Sequence, residues 1–181
     1  SGSTSLQVGE NYFKPGTSLW SILKSNGLIS QPKRERLILV SHVFRQDMLA
    51  TLSSRLGQSI SQVGASMELL VEHFEHWQDR IQERAWDNSI LYVGVKGGAG
   101  DPITPETRLL LESLDRCQVP YRVFSDSTLH ERFALNGQVP HLLELAGAST
   151  YRIQAVKGQE NTWYLGLDIG HPGRRDNSVL V

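Results

Sequence analysis

Residues 89–124 read SILYVGVKGGAGDPITPETRLLLESLDRCQVPYRVF, and the fold turns on how they are parsed. Residues 89–95 are a short, nearly continuous apolar run, the pattern of a strand buried on both faces. The next stretch, Lys96-Gly97-Gly98-Ala99-Gly100-Asp101-Pro102, is too rich in glycine for either regular element and reads as a loop. Thr104-Pro105-Glu106 then opens a helix. The threonine suits the cap, and proline costs nothing at the first helical position, where its missing N–H would have no partner anyway. Leu110, Leu111, Leu114 and Cys117 follow at helical spacing, so Cys117 is expected in a buried packing role. Residues 119–124, VPYRVF, are a second strand. Strand, loop, helix and strand predict a mostly parallel sheet with helices on both faces.

Working upstream, residues 37–40 (LILV) form another buried-strand run. Phe44, Met48, Leu49, Leu52 and Leu56 recur at helical spacing, and Gly57 is expected to stop that helix. Val63, Met67, Leu70, Phe74, Trp77 and Ile81 then alternate steps of four and three, which predicts one longer helix with a stripe for a core or a partner. His73 and His76 sit on its other face. Such a pair can hold a metal, but with no third ligand nearby a solvated polar face explains it. Residues 31–36 are a charged linker. Before them, Thr17 or Ser18 would cap a short helix carrying Leu19, Trp20, Ile22 and Leu23, ended by Asn26-Gly27. Residues 4–16 are a polar lead-in, and Ser1-Gly2-Ser3 reads as a cloning remnant.

Downstream, Ser125-Asp126-Ser127 would cap a helix over residues 129–135, followed by a second helical piece over 139–145 that Gly147 ends. Residues 163–181, WYLGLDIGHPGRRDNSVLV, close the sequence. There an apolar run delivers Asp168, a Gly/Pro-rich loop interrupts it, and a second run starts at Ser178. Ribonuclease-H-like nucleases and actin-like sugar kinases both begin with strand, acid, loop and strand.

Length and composition set bounds on function. A chain of 181 residues with 39% apolar and 20% charged residues suits one domain with appendages. Net charge is -1, and neither half is basic: residues 1–95 carry nine Lys+Arg against nine Asp+Glu, and the rest nine against ten. Any nucleic-acid contact must therefore come from a local patch. A single cysteine excludes an internal disulfide and a Cys-based zinc site, and points to a reducing cytoplasm. No apolar run approaches the roughly 20 residues that a membrane span requires, and no signal peptide is visible.

In a parallel α/β sheet, ligands lie beyond the carboxyl ends of the strands. Here that edge would hold Ser41-His42, the 96–101 loop and Ser125-Asp126. Backbone amides of a glycine-rich loop, with a helix N-terminus, can receive a phosphate or a base edge. The loop matches neither the Walker A pattern nor the dinucleotide fingerprint, so a plain connection competes with that reading. Asp168 suits a hard cation such as Mg or Mn. Two-metal hydrolysis needs three or four such acids, so one carboxylate predicts no nuclease activity for this chain alone.

The order of these elements, with Gly-Leu-Asp-Ile-Gly-His-Pro at 166–172, resembles the MID domain of a prokaryotic-type Argonaute running into its PIWI domain. The resemblance divides the chain into a tag remnant and linker (1–34), a Rossmann-like MID domain (35–155) and the start of a ribonuclease-H-like PIWI domain (156–181). It implies that the chain anchors the 5′ end of a guide strand, RNA or DNA, for guide-directed interference against a complementary target. It implies guide contacts from Lys96, Gly97, Gly98, Thr107, Arg108, Arg122 and Asn136. Asp168 becomes the first carboxylate of a catalytic tetrad, holding Mg or Mn in the intact protein, where MID would also contact PIWI.

The pattern also departs from the family. Thr107 and Leu111 stand where the family has a Tyr and a Lys, and Arg122 stands where it has a Gln. Asn136 fits, but Pro140 and Glu144 replace two lysines. A phosphate dianion needs cations or a fan of donors, so the expectation is a 5′-hydroxyl-type or otherwise altered pocket. Two alternatives remain open. One is a Rossmann-like regulatory or protein-interaction domain that has lost guide 5′-phosphate binding. The other is the front of an actin-like or sugar-kinase domain, which His171-Pro172 fits poorly.

Overall fold

The computed structural model describes residues 6–8, 11–13, 18–96, 102–125, 132–153, 168–170 and 178–180. In chain order these give β1 (Leu6–Val8), β2 (Asn11–Phe13), α1 (Leu19–Asn26), β3 (Arg36–Ser41), α2 (Gln46–Gln62) and β4 (Glu68–Val71). A 3-10 turn (Phe74–His76) leads into α3 (Trp77–Gln82), β5 (Ser89–Gly94), α4 (Pro105–Arg116), β6 (Tyr121–Phe124) and α5 (Arg132–Leu145). Short strands β7 (Arg152–Ile153), β8 (Asp168–Gly170) and β9 (Ser178–Leu180) follow.

Strands β3 to β6 form a four-stranded parallel sheet in the order β4-β3-β5-β6. The central pair, β3 and β5, is buried almost throughout, which is why both read as unbroken apolar runs. Alternation along them sorts side chains onto two faces. Leu37, Leu39, Ile90 and Tyr92 pack with α1, α2 and α5, while Ile38, Val40, Leu91 and Val93 pack with α4, Phe74 and Trp86. The parallel sheet flanked by helices is thus the architecture expected from residues 89–124.

Four expectations need correction. The stripe from Val63 to Ile81 is not one helix. Val63 caps α2, Gly64 turns the chain at φ +74°, and residues 68–71 pair with β3. Its apolar residues divide between the two faces of the sheet: Val63, Met67 and Leu69 on the α2 side, Leu70, Phe74, Trp77 and Ile81 on the other. No single helix could supply both. Gly57 does not stop α2, which runs on to Gln62. It lies inside the helix against the Leu69 side chain of β4, where a Cβ would make ordinary van der Waals contact at about 3.8 Å. Residues 132–145 form one helix, α5, passing through Pro140 without a break, while the expected cap at Asp126-Ser127 and the start at 129 lie outside the described residues. Proline removes one i→i−4 bond, but buried Leu135, Val139, Leu142 and Leu143 hold both sides of it to the sheet. Cys117 is exposed, because it caps α4 where Gln118 (φ +55°) turns the chain away.

Gly147 (φ +87°) ends α5 as expected, its N–H donating to the Glu144 carbonyl at 2.8 Å. The lead-in is tied to the rest: β1 pairs with β2 and with β7, and Val8 is fully buried. β8 and β9 pair antiparallel, with Asp168 opposite Leu180. Residues 163–167, expected as the strand delivering Asp168, lie outside the described residues.

Candidate functional site

β3 and β5 are neighbours, yet the helix after β3 covers one face and the helix after β5 the other. Their carboxyl ends therefore flank the switch point where open α/β sheets bind ligands. Here the α2-side half of that crevice is filled. Buried Ser41 donates its Oγ–H to the Gly94 carbonyl (2.9 Å) and accepts the N–H groups of Val43 and Phe44 (3.1 Å each). Phe44 stacks on Phe124 at 5.5 Å, and Phe124 meets Tyr92 at 4.5 Å. A Cβ on Gly94 would lie 2.6 Å from Phe44 and 2.8 Å from Phe124 and Ser41, so only glycine fits. On the α4 side, exposed His42 lies 5.0 Å from the Phe74 ring, with its Nε2 3.8 Å from Glu106.

Lys96 is exposed just past β5; Gly97 and Gly98 lie outside the described residues. Thr104 caps α4 as anticipated, accepting the Thr107 N–H at 3.2 Å. Thr107 itself is 1% exposed, and its hydroxyl is engaged with that of Thr104 at 3.0 Å. Arg108, the next residue, is exposed. Arg122 pairs in register with Tyr92, so it faces the α2/α5 side, where its Nε donates to Gln138 Oε1 at 2.6 Å. Thr107 packs on the opposite side with α4. The two residues belong to different faces, which meet only over the carboxyl ends of β5 and β6.

Asn136 and Gln138 are two residues apart, about 200° around a helix. Asn136 is accordingly directed elsewhere, accepting from the Ser59 hydroxyl at 3.3 Å and lining a groove of about 640 Å³ beside α1. Pro140 lines the same groove. Glu144 accepts the Thr150 hydroxyl and has His141 Nδ1 3.7 Å away. Residues 136, 140 and 144, one face of α5 in sequence, thus run from a groove into a self-contained polar cluster. The Asp168 side chain lies outside the described residues. Among those described, no three His, Cys, Asp or Glu residues converge to hold a metal, and His73 and His76 are both exposed. The pairing of Arg122 with Gln138 and the groove beside α1 had no signal in the sequence, since both depend on α1 and α5 packing together.

No known family model and no curated protein matches the chain. Solved structures do. The structure of Aquifex aeolicus Argonaute matches 98% of this chain with a TM-score of 0.58 at 15% identity. That of Marinitoga piezophila Argonaute in complex with 5′-OH guide RNA also matches 98%, with a TM-score of 0.51 at 9% identity. This chain spans 28% and 31% of those two chains. At such identities the likeness defines the fold, which is that of a portion of prokaryotic Argonautes. No helix of the described residues is long and apolar enough to cross a membrane.

Proposed function

We propose that the chain is the guide-anchoring portion of an Argonaute-type protein: a MID domain over residues 35–155, followed by the start of a PIWI domain. Its ligand is the 5′ end of a guide strand, RNA or DNA, held over the carboxyl ends of β5 and β6. Lys96, Arg108 and Arg122 are assigned to that edge as its cations, with Gly97 and Gly98, outside the described residues, as the expected backbone contacts. Thr107 acts indirectly, by fixing the first turn of α4. The observation that carries the reading is the environment of Arg122. It is a half-buried guanidinium on an edge strand, held by Gln138, and no carboxylate is paired with it among the described residues.

The same geometry supports a 5′-hydroxyl end over a 5′-phosphate. Pro140 brings no charge and Glu144 is an acid where the family has two lysines, and Arg122 is the half-buried cation of the pocket, whereas Lys96 and Arg108 are exposed to screening solvent. That the Marinitoga protein was solved with a 5′-OH guide is consistent with this. In a longer protein Asp168 would supply one ligand for Mg or Mn. Among the described residues no metal site forms, and no cleavage step is derived from them.

The test is binding of matched 5′-hydroxyl and 5′-phosphate oligonucleotides, as RNA and as DNA, at low salt. The 5′-hydroxyl strand is expected to bind at least as tightly, and Arg122→Ala to weaken it by roughly tenfold, the value of one hydrogen bond to a charged group. A clear preference for the 5′-phosphate would overturn the pocket type. Failure to bind any strand would overturn the anchoring role. That result would favour a protein-interaction domain, for which the half-exposed Trp77 and Ile81 beside α4 offer a surface.

A further inference from the structure

The groove between α1 and α5 is the largest of the described cavities, at about 640 Å³, and its chemistry is one-sided. Lys24, His141, Asn136 and the hydroxyls of Ser18 and Ser21 line it, Trp20 supplies an aromatic wall, and no carboxylate lines it among the described residues. Lys24 forms no ion pair among the described residues, although most other described ion pairs lie within a few residues along the chain. Asn136 spends its carbonyl oxygen on Ser59, leaving its two N–H groups as donors. His141 lies with its Nδ1 3.7 Å from Glu144, and its other ring nitrogen donates or accepts according to the tautomer. Lys24 and the Asn136 amide are fixed donors, and the serine hydroxyls can turn to donate as well, so the described lining favours an anion. An aromatic wall beside them suits a base stacked next to its own phosphate.

We infer that this groove takes a backbone phosphodiester of single-stranded nucleic acid, with Lys24 and Asn136 on the phosphate and Trp20 against the adjoining base. The inference rests on the guide-anchoring reading and deepens it. It adds a second contact, on the side of α5 away from the Gln138 that holds Arg122, and assigns it to α1, a helix that sequence alone placed in a linker. Its physical basis is independent of the 5′ end. A phosphodiester carries one negative charge, which a single lysine and neutral donors can satisfy, whereas the dianion of a terminal phosphate requires more.

The experiment compares the chain with Lys24→Ala, Lys24→Arg and Trp20→Leu, titrating a 3′-labelled 5′-hydroxyl single strand between 50 and 200 mM salt by anisotropy. Losing one phosphate contact should make the slope of log K against log salt shallower by about 0.7. Affinity at low salt should fall roughly three- to tenfold in Lys24→Ala, and Lys24→Arg should restore both. Trp20→Leu should weaken binding without changing the slope. Thermal unfolding of each variant separates these effects from loss of fold, since Lys24 lies in the last turn of α1, where a cation also complements the helix dipole. If the unsubstituted chain binds strands but Lys24→Ala matches it in slope and affinity, the groove assignment fails and the guide reading stands. If the unsubstituted chain binds no strand, both fail. Millimolar inorganic phosphate should displace the strand only weakly. Displacement as effective as that by an unlabelled strand would make the groove a free-anion site and overturn the inference.

Discussion

The two faces of the sheet are built differently. On one, α2 and α5 are long helices whose apolar stripes are fully buried: Leu49, Leu52, Leu56 and Ile60 from α2, and Leu135, Val139, Leu142 and Leu143 from α5. On the other, α4 buries Leu110 and Leu114, but α3 is six residues long and has no buried residue, although it carries Trp77 and Ile81. Grooves of about 500 and 310 Å³ flank it, one reaching exposed Cys117 and the other His42 and exposed Leu109. The first face is thus buried along two long helices, whereas the second is buried under α4, Phe74 and Trp86 and thinly covered around α3. Helix length explains much of this. A stripe buries well when several turns share the cost of ordering the chain, and six residues offer fewer than two turns.

Truncations should expose the contrast directly. Leu52→Ala, at a side chain 1% exposed, should lower unfolding free energy by about 2–5 kcal/mol in a denaturant titration. Ile81→Ala, beside grooves that water already reaches, should cost less than about 1 kcal/mol. Equal losses would mean that α3 is as tightly integrated as α2. Gly94→Ala sits between them, at about 1–3 kcal/mol. Its new methyl must displace Phe44, Phe124 or Ser41, and the aromatic near-UV circular dichroism should change along with the unfolding midpoint. A neutral result would show that the Phe44–Phe124 stack has room to move.

The sequence was most legible where one element buries both of its sides. The strands at 37–40 and 89–95, the Thr104-Pro105 opening of α4 and the Gly147 stop each have a local cause that acts before any tertiary contact forms. Legibility failed where tertiary contacts decide. The steps of four and three from Val63 to Ile81 arise because residues for two opposite faces happen to interleave, and Leu69-Leu70-Val71 is too short a run to declare itself a strand. The tell-tale was Gly64, which takes φ +74° and is more costly inside a helix than the expected stripe allowed. For the candidate site, sequence located Lys96, Arg122 and Asn136 on or near the right elements. It gave no indication that Arg122 and Asn136 lie on different sides of α5. That follows from the helix phase at 136 and 138, which cannot be fixed while the segment is read as two pieces broken before Pro140.

The smallest expected effect tests how open the α3/α4 side is to water. Tyr121 starts β6 on that side, and its hydroxyl donates to Asp115 Oδ2 at 3.3 Å. Partial burial, and then the hydrogen bond and charge of Asp115, push the phenol above its ordinary value of 10.0. The folded state thus holds its proton more tightly than the unfolded chain. This contribution to stability is fully present below the unfolded pKa, near pH 10, and is lost as pH rises through the folded one. A high-pH spectrophotometric difference titration against Tyr121→Phe should show that the Tyr121 phenol ionises late, and Asp115→Asn should bring it back only partway, because burial is the larger cause. Return to the ordinary value on that substitution alone would mean that the site is fully hydrated, and that the α4 side is looser than its buried Leu110 and Leu114 imply.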